Sequence, residues 1–219
     1  MVPALSPGES LIAAAAALAL VVLAWPLVRT IVTICHEAGH AVVALLAGRK
    51  LRGIRVHSDT SGLTVSRGRP TGPGMALTFF AGYPAASVVG LGVAGLAGAG
   101  YAAGSLWLLV ALLALMLLGM RNFYGAVAVL FTAVGLAVLS WYSPPVAVAW
   151  IAHGLAWLLL LAAPRPVIEV AGNRSPGTDA AQLARITVVP RLVWVAAWLV
   201  VTAGAIIAAV AVLVQPARA

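Results

Sequence analysis

Acidic side chains are scarce in this chain: five Asp and Glu occur among 219 residues, and only 8% of positions are charged. A soluble globular domain carries roughly 25% charged residues, so a soluble enzyme and a disordered chain are both excluded. Lysine is almost missing, outnumbered twelve to one by arginine, a bias that suits a GC-rich bacterial genome. The single cysteine, Cys35, rules out an intramolecular disulfide. The net charge of +8 therefore reflects missing acids rather than abundant bases. Such a surplus fits loops facing anionic lipid, not a nucleic-acid groove. No Lys or Arg precedes Leu11, so the basic region of a signal peptide is absent and the first apolar stretch reads as a retained span. Apolar residues make up 63% of the chain, and its mean hydropathy is +1.09. The expectation is an all-α polytopic membrane protein, residues 1–219 forming a single integral-membrane domain.

A helix crossing the hydrocarbon core needs about 20 apolar residues. Candidate spans are Leu11–Val28, Ile31–Ala47, Met75–Leu96, Tyr101–Met120, Phe123–Ser140, Val146–Ala163 and Leu192–Val214, about six to seven transmembrane helices in all. Pro26 and Arg29 offer the place where the first pair reverses. The linker Gly48–Gly74 holds Arg49, Lys50, Arg52, Arg55, Arg67 and Arg69 against one acid, Asp59. Placing it in the cytoplasm also puts Arg121, Arg165, Arg174, Arg185 and Arg191 there, leaving Arg29 and Arg218 outside, as the positive-inside rule asks. The N-terminus is then cytoplasmic, in a bacterial cell (inner) membrane. Trp25, Tyr101, Trp141 and Tyr142 would line the outer interface, Tyr124 and Trp194 the inner one.

The basic linker alternates apolar and polar residues over Gly53–Ser58 and Leu63–Arg67, flanking Asp59-Thr60-Ser61-Gly62: a small cytoplasmic β-hairpin. The linker Pro164–Pro190 begins with prolines, runs irregularly through Asn173–Gly177 and turns helical at Asp179, whose spacing to Gln182 matches a capping box. Gly90-Leu91-Gly92-Val93-Ala94-Gly95 matches GxGxxG formally. It lies inside an apolar span without a preceding strand, and small residues for close helix packing explain it better than a dinucleotide site.

Chemistry concentrates in His36-Glu37-Ala38-Gly39-His40. Two residues four apart on a helix lie about 40° apart in azimuth and one turn apart along the axis, so both imidazoles can meet one metal ion. Glu37 beside them can accept a proton from water on that metal. Zinc suits imidazole ligands and leaves a position open for water. A chance HExxH is expected in roughly one in a thousand chains of this composition. Ionisable groups inside a span are costly, which points to function rather than to helix-packing glue.

An HExxH in a transmembrane helix, followed by a basic hairpin and several further spans, resembles the site-2 protease group of intramembrane zinc metalloproteases, and within it the M50B-like bacterial branch. Softer resemblances are Ala41, Ala81-Gly82-Tyr83, Arg121-Asn122 and the run Thr178-Asp179-Ala180-Ala181-Gln182-Leu183 with Thr187, Pro190 and Trp194. The resemblance implies hydrolysis of peptide bonds in or near transmembrane segments of membrane-protein substrates within the lipid bilayer, by a Zn2+-activated water. Glu37 is then the general base, with His36, His40 and an aspartate as metal ligands. The Asp-Gly setting usual for that aspartate is absent. Of the two aspartates, Asp59 sits at the hairpin tip, where turn formation explains it, and Asp179 lies in the run that resembles the branch. Asp179 is the candidate ligand, with a helix N-cap as its other role. His153 reads as a packing histidine, Glu169 as a solvated carboxylate in extended chain, His57 as exposed, and Asn122 as a partner of backbone groups or a helix terminator. The hairpin is expected to pair with an unwound substrate strand. A non-catalytic metal-binding scaffold of the same fold, or a metal or proton transporter, is the alternative.

Overall fold

The computed structural model describes residues 4–214. Its elements in chain order are α1 (Pro7–Leu23), α2 (Trp25–Leu46), β1 (Lys50–Val56), β2 (Gly62–Arg67), α3 (Pro73–Gly98), α4 (Ala102–Gly119), α5 (Phe123–Tyr142), α6 (Pro145–Ala162), α7 (Pro164–Gly172), α8 (Asp179–Thr187) and α9 (Arg191–Leu213). The fold is that of an all-α polytopic membrane protein with one small antiparallel hairpin. Five helical stretches, α6 and α7 counted as one, are long and apolar enough to cross a membrane, or six where the bent pair α1 and α2 counts as one span.

The first two spans do not divide as expected. Serine at the N-cap starts α1: Glu9 N donates to Ser6 Oγ and Ser6 N donates to Glu9 Oε2, a reciprocal box. The helix stops at Ala24 rather than between Pro26 and Thr30, and α2 leaves it at 102°. Pro26 supplies the physical reason, because its ring removes the donor that Val22 would need for a continuous helix. Arg165 fills the gap: its Nη1 donates to Val21 O at 3.0 Å while its guanidinium lies 4.1 Å from the centre of the Trp25 ring. Arg29, inside α2, bonds Glu169 at 3.3 Å, and Glu169 also meets Arg165 at 3.6 Å. Arg29 and Trp25, expected on the far side from Arg165, are thus beside it.

Small residues let α1 lie along α6. Ala13, Ala17 and Val21 are buried on one side, Val148, Ala152 and Ala156 on the other. Trp157 Nε1 donates to Ser10 Oγ at 3.0 Å, so both buried polar groups are satisfied. Because Ser10 meets Trp157 and Val21 meets Arg165, the two helices run in the same direction.

The hairpin pairs Lys50 with Arg67 and Val56 with Gly62, with an irregularity between Leu51 and Gly53. Asp59 shapes its turn by accepting from Ser61 N at 2.9 Å and from Ser61 Oγ at 2.7 Å. The hairpin folds back along α2: Thr33 Oγ1 donates to Thr60 O at 2.9 Å, and Arg49 Nε donates to Ser66 Oγ at 2.9 Å. The turn between α4 and α5 fastens β1. Arg121 N donates to Ile54 O at 2.9 Å, Val56 N to Asn122 Oδ1 at 3.2 Å, and Asn122 Nδ2 to Val56 O at 2.6 Å.

Chain expected to be extended after Pro164 is helical instead. Pro164 and Pro166 occupy the first turn of α7, where a missing N–H breaks no helical bond. Arg191 ties α9 back to it, Nη2 donating to Ala171 O at 2.7 Å. Gly90 packs against Ala156, Leu159 and Leu160, but Gly92 and Gly95 face open space, so close packing accounts for only one glycine of that motif.

Candidate metal centre

His36, Glu37 and His40 project from the middle of α2, which lies antiparallel against α3. Gly39 permits the approach: a Cβ there would fall 2.7 Å from Ala81 O and from Ala85 Cβ. His40 Nε2 and His36 Nε2 are 2.9 Å apart, with the rings edge-on at 90°. Asp179 Oδ2 lies 3.2 Å from each of those nitrogens. Among the described residues these three side chains form the group able to hold a metal ion.

Three observations test whether zinc fits. Zinc ligands at about 2.0–2.1 Å in tetrahedral array stand about 3.3 Å from one another. The triangle of two Nε2 and one Oδ2 is close to that size. Secondly, His40 Nδ1 lies 2.6 Å from Thr78 O. A carbonyl only accepts, so Nδ1 carries the hydrogen and the Nε2 lone pair of the neutral ring faces the centre. Thirdly, α3 presents glycine at the critical point: a Cβ on Gly82 would sit 2.6 Å from His40 Nε2 and 2.7 Å from His36 Nε2. The residues fit the ion.

Asp179 is freed for this position by its neighbour. Thr178 caps α8, its Oγ1 accepting from Ala181 N at 3.3 Å, and Gln182 donates to Pro176 O at 3.2 Å rather than closing a box on Asp179. The expected capping role belongs to Thr178. With no ion bound, burial pushes the Asp179 carboxyl up, but a protonated His40 and hydrogen bonds donated by the His36 and His40 Nε2 atoms outweigh it and hold it well below the usual carboxylate range; zinc would take the place of those protons. Around the triangle, Tyr83 meets the His36 ring edge at 4.8 Å and leans on Trp198 at 4.3 Å, while Trp198 Nε1 donates to Phe80 O at 2.9 Å.

Glu37 is 3% exposed. The hairpin covers it: Thr64 Oγ1 lies 2.6 Å from Glu37 Oε2, and a Cβ on Gly62 would fall 2.3 Å from Glu37 Oε1. Other singled-out residues lie elsewhere. His153 is buried on α6 with Nδ1 2.9 Å from Ala149 O. His57 Nδ1 meets Ser61 Oγ at 3.1 Å in the hairpin turn. Glu169 is a helical, ion-paired carboxylate rather than a solvated loop acid. Cys35 lines an apolar cavity of about 500 Å³ among α2, α4, α5 and α6. Thr78, Thr64, Gly62 and the space-making role of Gly82 are the contributors sequence reasoning missed; Gly82 was visible only as part of Ala81-Gly82-Tyr83.

No curated protein and no solved structure matches the chain. Among protein families, the Peptidase M50B-like model matches residues 10–209. The chain belongs to that family, and is in kind a membrane metalloprotease.

Proposed function

We propose that this family member is an intramembrane zinc metalloprotease that hydrolyses peptide bonds in or near transmembrane segments of other membrane proteins. The observation that carries the reading is the convergence of His36 Nε2, His40 Nε2 and Asp179 Oδ2, each pair 2.9–3.2 Å apart, beside the buried Glu37. Those three atoms would hold Zn2+. When bound, the ion supplies Lewis acidity that polarises the scissile carbonyl and acidifies a water. Thr78 O holds the His40 ring in the tautomer that ligation needs. Glu37 takes the proton from the attacking water and returns it to the leaving amine. His36 and Asp179 keep 20% and 16% of their side chains exposed, which gives the water that hydrolysis consumes a way in, while Glu37 and His40 are buried behind them.

A helical substrate must unwind before its amides can be reached. With β1 fastened to Asn122, the far edge of β2 is the one open to an extended substrate strand. Deleting Leu63–Arg67 would then abolish ordered binding.

The membrane is the bacterial cell (inner) membrane, with the hairpin, Arg121 and the 164–190 linker cytoplasmic. The N-terminus, expected in the cytoplasm, is assigned here to the external side. Two considerations support this: α1 runs parallel to α6, whose start follows the charge-free Trp141–Pro145 turn, and α1 with α2 together pass for one broken span by length and composition.

The test expresses wild type and Glu37→Gln beside a single-span substrate. Zinc retained with cleavage lost in the variant is the expected result. Equal cleavage by both overturns the mechanism, and zinc binding without cleavage by either leaves a metal-binding scaffold.

A further inference from the structure

We propose that Thr64 is a positioning residue for Glu37, holding its carboxyl in one orientation; the inference rests on Glu37 acting as the base. Thr64 Oγ1 stands 2.6 Å from Glu37 Oε2 and 3.1 Å from the main-chain oxygen of the same residue. A hydroxyl carries one hydrogen and two lone pairs. Its hydrogen goes to Oε2, the shorter of the two contacts, and the main-chain oxygen of Glu37 lies beside the same hydroxyl.

Several features keep that anchor in place. Gly62, two residues earlier on β2, leaves room for Oε1, since a Cβ there would lie 2.3–2.6 Å from the Glu37 carboxyl and Cγ. Thr60 O is held by Thr33 of α2, and Ser66 by Arg49. On the far strand, Asn122 grips both polar atoms of Val56, the residue paired with Gly62. The hairpin is thereby fixed at its turn, at its open end and along β1, and Thr64 lies between those points. A carboxylate free to turn about its last torsions would spend much of its time misaligned, and misplacement of about 1 Å can lower turnover about 100-fold.

The experiment compares Thr64→Val, Thr64→Ser and Glu37→Gln in the zinc-loaded full chain with a single-span substrate. Thr64→Val keeps the shape and removes the hydroxyl. It should retain zinc and leave KM within about twofold while kcat falls about ten- to hundredfold. Thr64→Ser should restore kcat to within about threefold of wild type. A readout independent of turnover comes from infrared difference spectra. Wild type minus Glu37→Gln isolates one carboxylate band in a chain that has five Asp and Glu. That band should shift in Thr64→Val and stay put in Thr64→Ser. Unchanged kcat in Thr64→Val overturns the positioning role, as does an unmoved band. Equal losses in the valine and serine variants overturn it as well, since the methyl group would then be the operative part. Failure of the base assignment looks different: Glu37→Gln would cleave like wild type while the Thr64→Val band shift persisted.

Discussion

His40 shows how much chemistry one main-chain atom can decide. The carbonyl of Thr78 leaves its Nδ1 no choice but to donate, and the ring has only Nε2 left to offer a metal. Gly82 then keeps the space before that nitrogen clear. Gly82→Ala should therefore strip zinc from an otherwise folded protein, because its Cβ would fall within 2.5–2.7 Å of both imidazoles; metal analysis beside circular dichroism checks this. Asp179→Ala should weaken zinc binding by about 100-fold or more, given that loss of outer-shell partners alone costs about 10–100-fold. Competition with a chelator reads the change, and unaltered affinity would remove Asp179 from the ligand set. The two histidines and the glutamate are legible in sequence because helical spacing alone brings them together. Thr78 and Thr64 are not, being 38 and 27 positions away and chosen by where α3 and β2 pack. Asp179 is intermediate: scarcity of acids narrowed the choice, while its orientation depended on Thr178 taking the cap.

At the level of elements, the hairpin was readable from alternation and a glycine-containing turn, since a strand with one covered face leaves that pattern in any sequence. Its attachment to the turn between α4 and α5 was not, beyond Asn122 being read as a partner of backbone groups or a helix terminator. Asn122→Ala should leave both polar atoms of Val56 without partners, at about 1–3 kcal/mol. Amide hydrogen exchange at Val56 should accelerate by about tenfold or more while the helices stay protected. No acceleration would mean that β1 is held by Ile54 and Arg121 alone. The prolines of α7 illustrate the opposite error. Read as breakers they implied extended chain, yet in the first turn of a helix proline is well tolerated, and only the packing of Val167 and Val170 against Leu183 and Trp198 decides between the two.

For the whole molecule, the decisive feature is the bend at Ala24. Hydropathy marks apolar stretches and charge marks sides, but neither distinguishes a full reversal from a turn of 102°. On the proposed count of six crossings, the start of α1 and the end of α9 fall on one side of the membrane. A thiol placed at Ser6 in a Cys35→Ala background should react with an impermeant reagent added outside intact cells, and a thiol at Thr71, in the linker after the hairpin, should not. The reverse pattern would restore seven crossings and a cytoplasmic N-terminus.

The path between α7 and α8 carries a different implication. Gly172–Gly177 is exposed throughout, whereas the helices on either side are packed into the body of the protein. Every histidine of the chain lies before that stretch and Asp179 after it. A nick there should sever the peptide link between the imidazoles and the carboxylate and leave the two pieces associated through the α7, α8 and α9 packing, which co-purification after limited proteolysis checks. In architecture the proposed centre is thus a joining of two unequal parts, a long stretch bearing His36 and His40 and a short one bearing Asp179.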